Sequence, residues 1–247
     1  GDQVATISSW QDYSTVKPED SMTRVLPQGH DLIEGLGVFG LNSLTGYFGI
    51  RDVGAIQPGE SVLVSGAAGS AGSIAAQVAK HGGCRVVGIA GGQEKCRWLL
   101  EDCGLDAAID YRGENVRERI AALFPDGIDV FFDNVGGKTL QSAVDHMAPF
   151  GRIVLCGQIA SYNAGESPEG PRNMMRLVYG GIRMQGFLVG HFEEHFDKAL
   201  SDLTDWERSG QLSHREDVRK GFANLPGAFN ALFDGSNRGT LIVTSEE

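Results

Sequence analysis

From Ser61 to Gly157 the chain alternates between two apolar patterns. "SVLVS", "CRVVGIA", "AAIDY", "IDVFFDN" and "RIVLCG" are short, nearly continuous β-branched runs, as expected of strands buried on both faces. Between them, "AGSIAAQVAKHG", "EKCRWLLEDCG", "ENVRERIAALF" and "GKTLQSAVDHMA" place apolar residues three and four apart, as amphipathic helices do. Parallel strands need a crossover and the helices supply it, so the pattern predicts an α/β fold with a doubly wound parallel sheet. Upstream, "GDQVATISSWQDY" alternates like a strand, and "FGLNSLTGYFGIRDVGAI" reads as a helix with Leu41, Leu44 and Phe48 on one face, stopped by "QPGE". Downstream come a Gly, Ser and Pro-rich connection over 157–173, a strand "GIRMQGFLVG", a helix "EEHFDKALSDLTDWERSG", a further helical stretch and a terminal strand "GTLIVTS".

Between the first strand and first helix of this run lies "SGAAGSAGS". Aligned on Ser65 it reads Ala67, any, Gly69, any, any, Gly72: a dinucleotide-binding glycine pattern with its first glycine replaced. In such a turn the middle glycine admits a pyrophosphate to the backbone and the last lets helix and strand pack closely, while the helix opening offers N–H donors. A tight crossover with no ligand would use the same residues. Two rivals fit less well. A nucleophile elbow would need Ser70 on the sharp turn rather than several residues beyond the strand, and a P-loop would need Lys and Ser or Thr where Ser73 and Ile74 stand.

Charge sharpens this reading. With 21 Lys+Arg against 32 Asp+Glu the formal charge is -11, so the average surface repels nucleic acid and anionic membranes, and neither is expected as a partner. An anionic ligand must then be held by a local device. No apolar run approaches the length of a membrane span. Cys84, Cys96, Cys103 and Cys156 form no CxxC pair and read as free thiols in a reducing, cytoplasmic setting.

The second strand ends "GIAGGQEKCR", without the carboxylate that binds the ribose 2′-OH in NAD sites, and Lys95 and Arg97 follow directly. This favours NADP over NAD, although both cations would also suit the solvated face of a helix. Asn134 ends a strand at the carboxyl edge, where ligands gather and where turn-forming Asn is also common.

"SGAAGSAGS", "VVGIAGGQEKCR", "FFDNVGGKTL", "GRIVLCGQIASYN" and "GSNRGT", in that order, resemble the zinc-independent medium-chain dehydrogenases/reductases of the prostaglandin reductase (leukotriene B4 12-hydroxydehydrogenase) and curcumin reductase type. "GDQVATISSWQDY" and "LTGYFGI" extend the resemblance over essentially the whole chain. The resemblance implies NADPH-dependent reduction of a carbon–carbon double bond conjugated to a carbonyl. It implies that Gly69, Ser70, Ala71 and Gly72 cradle the pyrophosphate and that Lys95 and Tyr111 hold the 2′-phosphate. Asn134, Cys156, Gly157, Tyr162, Phe187, Leu188, Val189 and Asn237 would line the rest of the coenzyme site.

Tyr162 and then Tyr47 are the candidate catalytic residues, as hydrogen-bond donors to the carbonyl oxygen; an aromatic wall would use tyrosines equally well. The substrate class implied is an enone or alkenal. A quinone reductase and a non-catalytic NADP-binding sensor are the alternatives, and a homodimer joined near "GIRMQGFLVG" is expected.

The resemblance also sets the expected domains. Residues 1–35 correspond to part of a GroES-like, β-rich substrate domain, 36–211 to the Rossmann NADP-binding domain, and 212–247 to a return to the substrate domain. The chain opens on Gly1 and is expected to be a trimmed piece. It departs from the family where "LNSLTGYFG" replaces "MPGLTAYFG" and Thr240 replaces a more usual Lys. "HFEEH" has the HxxEH spacing of a zinc peptidase helix, but as the opening of a helix its Glu193 and Glu194 serve the helix dipole, and no metal is expected. Asp129 and Asp133 bracket a buried strand and are expected to cap its ends.

Overall fold

The computed structural model describes residues 1–20, 22–26, 31–162 and 170–245. The chain opens with β1 (Val4–Ala5), β2 (Arg24–Val25), α1 (Leu32–Leu36) and α2 (Leu41–Phe48), which runs on into a wider turn over Gly49–Val53. The alternating run follows: β3 (Ser61–Ser65), α3 (Ser70–His81), β4 (Arg85–Ala90), α4 (Gln93–Glu101), β5 (Ala107–Asp110), α5 (Val116–Leu123), β6 (Ile128–Asp133), α6 (Gly137–Asp145) and β7 (Met147–Leu155). After the long connection come α7 (Met175–Gly180), β8 (Arg183–Gly186), α8 (Phe196–Arg208), β9 (Glu216–Lys220), α9 (Leu225–Asp234) and β10 (Thr240–Thr244).

Six parallel strands form one sheet in the order β5-β4-β3-β6-β7-β8. Chain order therefore reverses between β3 and β6, the crevice where a doubly wound sheet receives its ligand. The sheet separates two buried clusters. Val62, Val64 and Val86 pack with α2, α3 and α8, whereas Leu63, Val87 and Ile109 pack with α5 and α6. Burial on both faces is why the strands read as continuous apolar runs. Glycine sets the spacing of the helices above the sheet, since a Cβ at Gly46 would overlap the Ala71 carbonyl of α3. Among the described residues no helix is long and apolar enough to cross a membrane.

Some expectations need correction. The alternation at the start gives only the two residues of β1, paired antiparallel with β2. "GIRMQGFLVG" is a strand only over Arg183–Gly186, and "HFEEH" lies in a 3-10 turn over Val189–His195, with α8 starting at Phe196. At three residues per turn, His191 and His195 do not share a face as they would on an α-helix. Strand β9 was not expected, because "EDVRK" carries a charge at every position but Val218; it forms by pairing in parallel with β10.

Candidate functional site

At the carboxyl ends of β3 and β6 opens a cleft of about 510 Å3. The turn after β3 passes through Gly66 in left-handed conformation, and a Cβ at Gly72 would overlap the Gly66 carbonyl. Only glycine lets α3 start this close to its strand. Gly69 caps α3 without a side-chain hydrogen bond and spends its own N–H on Gly66 O at 2.9 Å. Helix geometry then leaves the N–H groups of Ser70, Ala71 and Gly72 without intrahelical partners, at the positive end of a twelve-residue helix that faces the cleft. This donor set suits a diphosphate.

The far end of the cleft suits a second phosphate. A Cβ at Gly91 would lie 2.7 Å from the Tyr111 hydroxyl, so the bare strand tip makes room for that phenol where a carboxylate would otherwise stand. Lys95 donates from Nζ to Gly235 O at 2.9 Å, and Arg112 donates to Asp234 O at 3.0 Å. Both cations thus converge on the C-terminus of α9. Burial, then the positive charge of Arg112, holds the Lys95 ammonium below the ordinary lysine range, against the pull of Glu94 and Asp234. Arg238 stands nearby, paired with Glu94 at 3.1 Å. Arg97 is different: it is exposed on the other face of α4, outside the cleft.

Asn134, Cys156, Gly157 and Tyr162 line the middle of the cleft, and Asn237 reaches it from the tail. The Asn134 amide donates from Nδ2 to Ser65 O at 2.7 Å, tying β6 to the glycine turn. Burial, with a contribution from Asp133, pushes the Cys156 thiol up to about 12, so it lines the cleft as a neutral group. The Tyr162 hydroxyl accepts from Gln158 N at 3.1 Å, which leaves its own proton to donate, and the residue as a whole is exposed. Asn237 donates to Gly239 O at 2.9 Å, and Gly239 bridges to Gly69, so the tail closes one side of the cleft.

Four of the expected site residues lie elsewhere. Tyr47 is only 1% exposed; its hydroxyl donates to Asp202 at 2.6 Å and its ring packs on Phe48 and Trp206, so it belongs to the core. Phe187, Leu188 and Val189 follow β8 at the same sheet edge but do not line the cleft, because the chain leaves the sheet at Gly186. Conversely, Arg112, Asn42 and Thr45 were not singled out from the sequence. The two α2 residues line the cleft, and only the packing of α2 on α3 brings them there. A larger cavity of about 880 Å3 lies beside α5 and α6 and contains none of the expected site residues. Among the described residues no group of three or more His, Cys, Asp or Glu could hold a metal ion.

Strand order and the glycine turn define a doubly wound protein of the dinucleotide-binding class. A family model described as "Zinc-binding dehydrogenase" matches residues 71–205. The chain is 39% identical to prostaglandin reductase 1 of Bos taurus over 254 residues, covering 98% of this chain and 75% of that one. It is 36% identical to an NADP(+)-dependent 2-alkenal reductase of Nicotiana tabacum, covering 98% of this chain and 71% of that one. The crystal structure of CurA from Vibrio vulnificus in complex with NADPH superposes with a TM-score of 0.89 at 35% identity, over 97% of this chain and 72% of that one. The chain belongs to the medium-chain dehydrogenase/reductase family.

Proposed function

We propose that this protein is an NADP-dependent oxidoreductase that reduces the carbon–carbon double bond of α,β-unsaturated ketones or aldehydes. The observation that carries the reading is one cleft with two anion-receptive ends: the open amides of α3 at one, and Lys95 with Tyr111 at the other, with Arg112 beside them outside the lining, bonded to the C-terminus of α9. Similarity to a 2-alkenal reductase supports the substrate class. When bound, NADPH would supply the hydride for the β-carbon of the conjugated carbonyl. The chain's residues do the rest. The α3 amides and the cations around α9 fix the two ends of the coenzyme, and Asn134, Cys156 and Gly157 form the wall between them. Tyr162 lends its hydroxyl proton to the carbonyl oxygen as negative charge develops there, and solvent then protonates the α-carbon.

The test is NADPH oxidation by the purified chain with a simple enone, with the saturated carbonyl identified as product and a quinone as the comparison acceptor. A chain that binds NADPH yet turns over no enone would refute the assignment. Tyr162→Phe is expected to lower kcat about tenfold and to leave the NADPH dissociation constant within about twofold; water around the exposed ring compensates part of the lost donor, so the effect is below that of an enclosed oxyanion site. Unchanged kcat removes Tyr162 from the mechanism.

The same reading assigns residues 1–35 and 212–247 to the substrate domain and 36–211 to the coenzyme domain. It also takes the protein to be a cytoplasmic homodimer, joined along β8. That strand is the last of its sheet, with Val178 and Tyr179 exposed nearby, and edge pairing would extend the sheet across two copies. Light scattering of the purified chain checks the dimer.

A further inference from the structure

Asp133 is 0% exposed at the end of β6, beside the point where strand order reverses. Its carboxylate accepts from the Ser65 hydroxyl at 2.7 Å and from the amides of Val135 and Gly136 at 3.0 and 3.1 Å. Among the described residues it makes no ion pair, so a buried charge is held by dipoles alone, at a cost an apolar residue would not carry. The direction agrees, since burial raises this carboxyl above the ordinary aspartate range against the hydrogen bonds that lower it.

What the charge organises explains its presence. Ser65, the last residue of β3, donates to Asp133 and accepts from Asn134 N at 2.9 Å. The Asp133 carbonyl accepts from the amides of Cys156 and Gly157 at 2.9 and 3.0 Å. The carboxylate therefore ties together the ends of β3 and β6, whose following segments at Gly66 and Asn134–Val135 line the coenzyme cleft, while the main chain of the same residue, independently of the charge, holds Cys156–Gly157.

We propose that Asp133 is a positioning residue that acts through Ser65 and the Val135 and Gly136 amides to hold the floor of the cleft in its coenzyme-receiving shape. The inference rests on the NADPH reading above and adds to it a residue that does not touch the ligand. It separates two kinds of damage. A residue needed only for folding lowers the melting temperature and the folded fraction, while the folded molecules keep their coenzyme affinity. A positioning residue weakens the affinity of the folded molecules themselves.

The experiment titrates the whole chain with NADPH, well below its melting temperature, for wild type, Asp133→Ala, Asp133→Asn and Ser65→Ala, with kcat and KM measured alongside. Asp133→Ala is expected to raise the NADPH dissociation constant about tenfold, as loss of charge-assisted hydrogen bonds would. Ser65→Ala should raise it about threefold, since one of the three donors to the carboxylate is lost. Asp133→Asn should recover part of the loss, because its carboxamide oxygen still accepts from Val135 and Gly136. KM for NADPH should rise more than kcat falls. If Asp133→Ala does not fold, the other two variants decide the question. Unchanged dissociation constants in folded Asp133→Asn and Ser65→Ala overturn the proposal alone, whereas wild-type protein that binds no NADPH overturns the coenzyme reading and this inference with it.

Discussion

Lys95→Ala is expected to weaken NADPH binding about 10- to 100-fold and NADH binding less than about twofold, the range for losing a charge-assisted contact to a phosphate. The chain as a whole carries a formal charge of -11 and opposes a coenzyme with three phosphates, so local cations must carry the discrimination. Lys95 is held in place, half-buried, with Nζ anchored on the Gly235 carbonyl and Tyr111 lining the same end of the cleft. The nearby Arg112 leaves a residual preference in the single variant, which Lys95→Ala combined with Arg112→Ala should abolish. pH offers an independent check. Because burial and Arg112 hold the ammonium below the ordinary lysine range, NADPH affinity should decline as pH rises through this lowered value, with NADH affinity unmoved. Equal losses for the two coenzymes on titration of the variant would overturn the 2′-phosphate assignment.

Why Lys95 could be singled out from sequence and Arg112 could not shows where pattern reading stops. The βα run from 61 to 155 was legible because burial on two faces and burial on one face impose different periodicities, and β3 falls on the expected Ser61–Ser65. The glycine turn was legible because backbone crowding at Gly72 admits no other residue. Lys95 follows the strand tip locally, whereas Arg112 joins it only through the C-terminus of α9, 122 residues further on. Asp133 and Ser65, 68 residues apart, likewise meet only once β3 and β6 are neighbours. Tyr47 misled for the same reason. Its hydroxyl suggested chemistry, but Asp202, 155 residues away, satisfies it at the edge of the core. At Phe187 to Val189 an apolar run continued past the point where the strand ends, and β9 carries no alternation because its partner β10, rather than a buried face, specifies it.

Arg152→Ala should destabilise the fold by about 3 kcal/mol without altering the cleft, the lower end of the range for removing one partner of a buried pair. The guanidinium reaches Glu60 through two bonds of 2.6 Å and donates to the carbonyls of Gly54 and Ala55 at 2.9 Å, and the side chains of Arg152 and Glu60 are only 17% and 20% exposed. The clamp lies at the amino end of the sheet, opposite the cleft, where Glu60 also accepts Arg85 N through its carbonyl. Removing Arg152 strands a largely buried carboxylate and two carbonyls. Arg152→Lys should recover little, because an ammonium cannot reproduce the planar fork. For a chain of this size the loss corresponds to roughly 6–12 °C in Tm. Burial alone would raise the Glu60 carboxyl, but the hydrogen bonds from Arg152 and the Gln57 amide outweigh it, leaving it below the ordinary 4.5. A depressed acid stabilises the fold above its unfolded pKa and loses that contribution as pH falls through the folded value. The Tm gap between wild type and Arg152→Ala should therefore be full near neutral pH and narrow below about 4.5. A gap constant into acid would show that the fork acts by packing rather than by charge, and a changed NADPH dissociation constant in the folded variant would show that the two ends of the sheet are coupled.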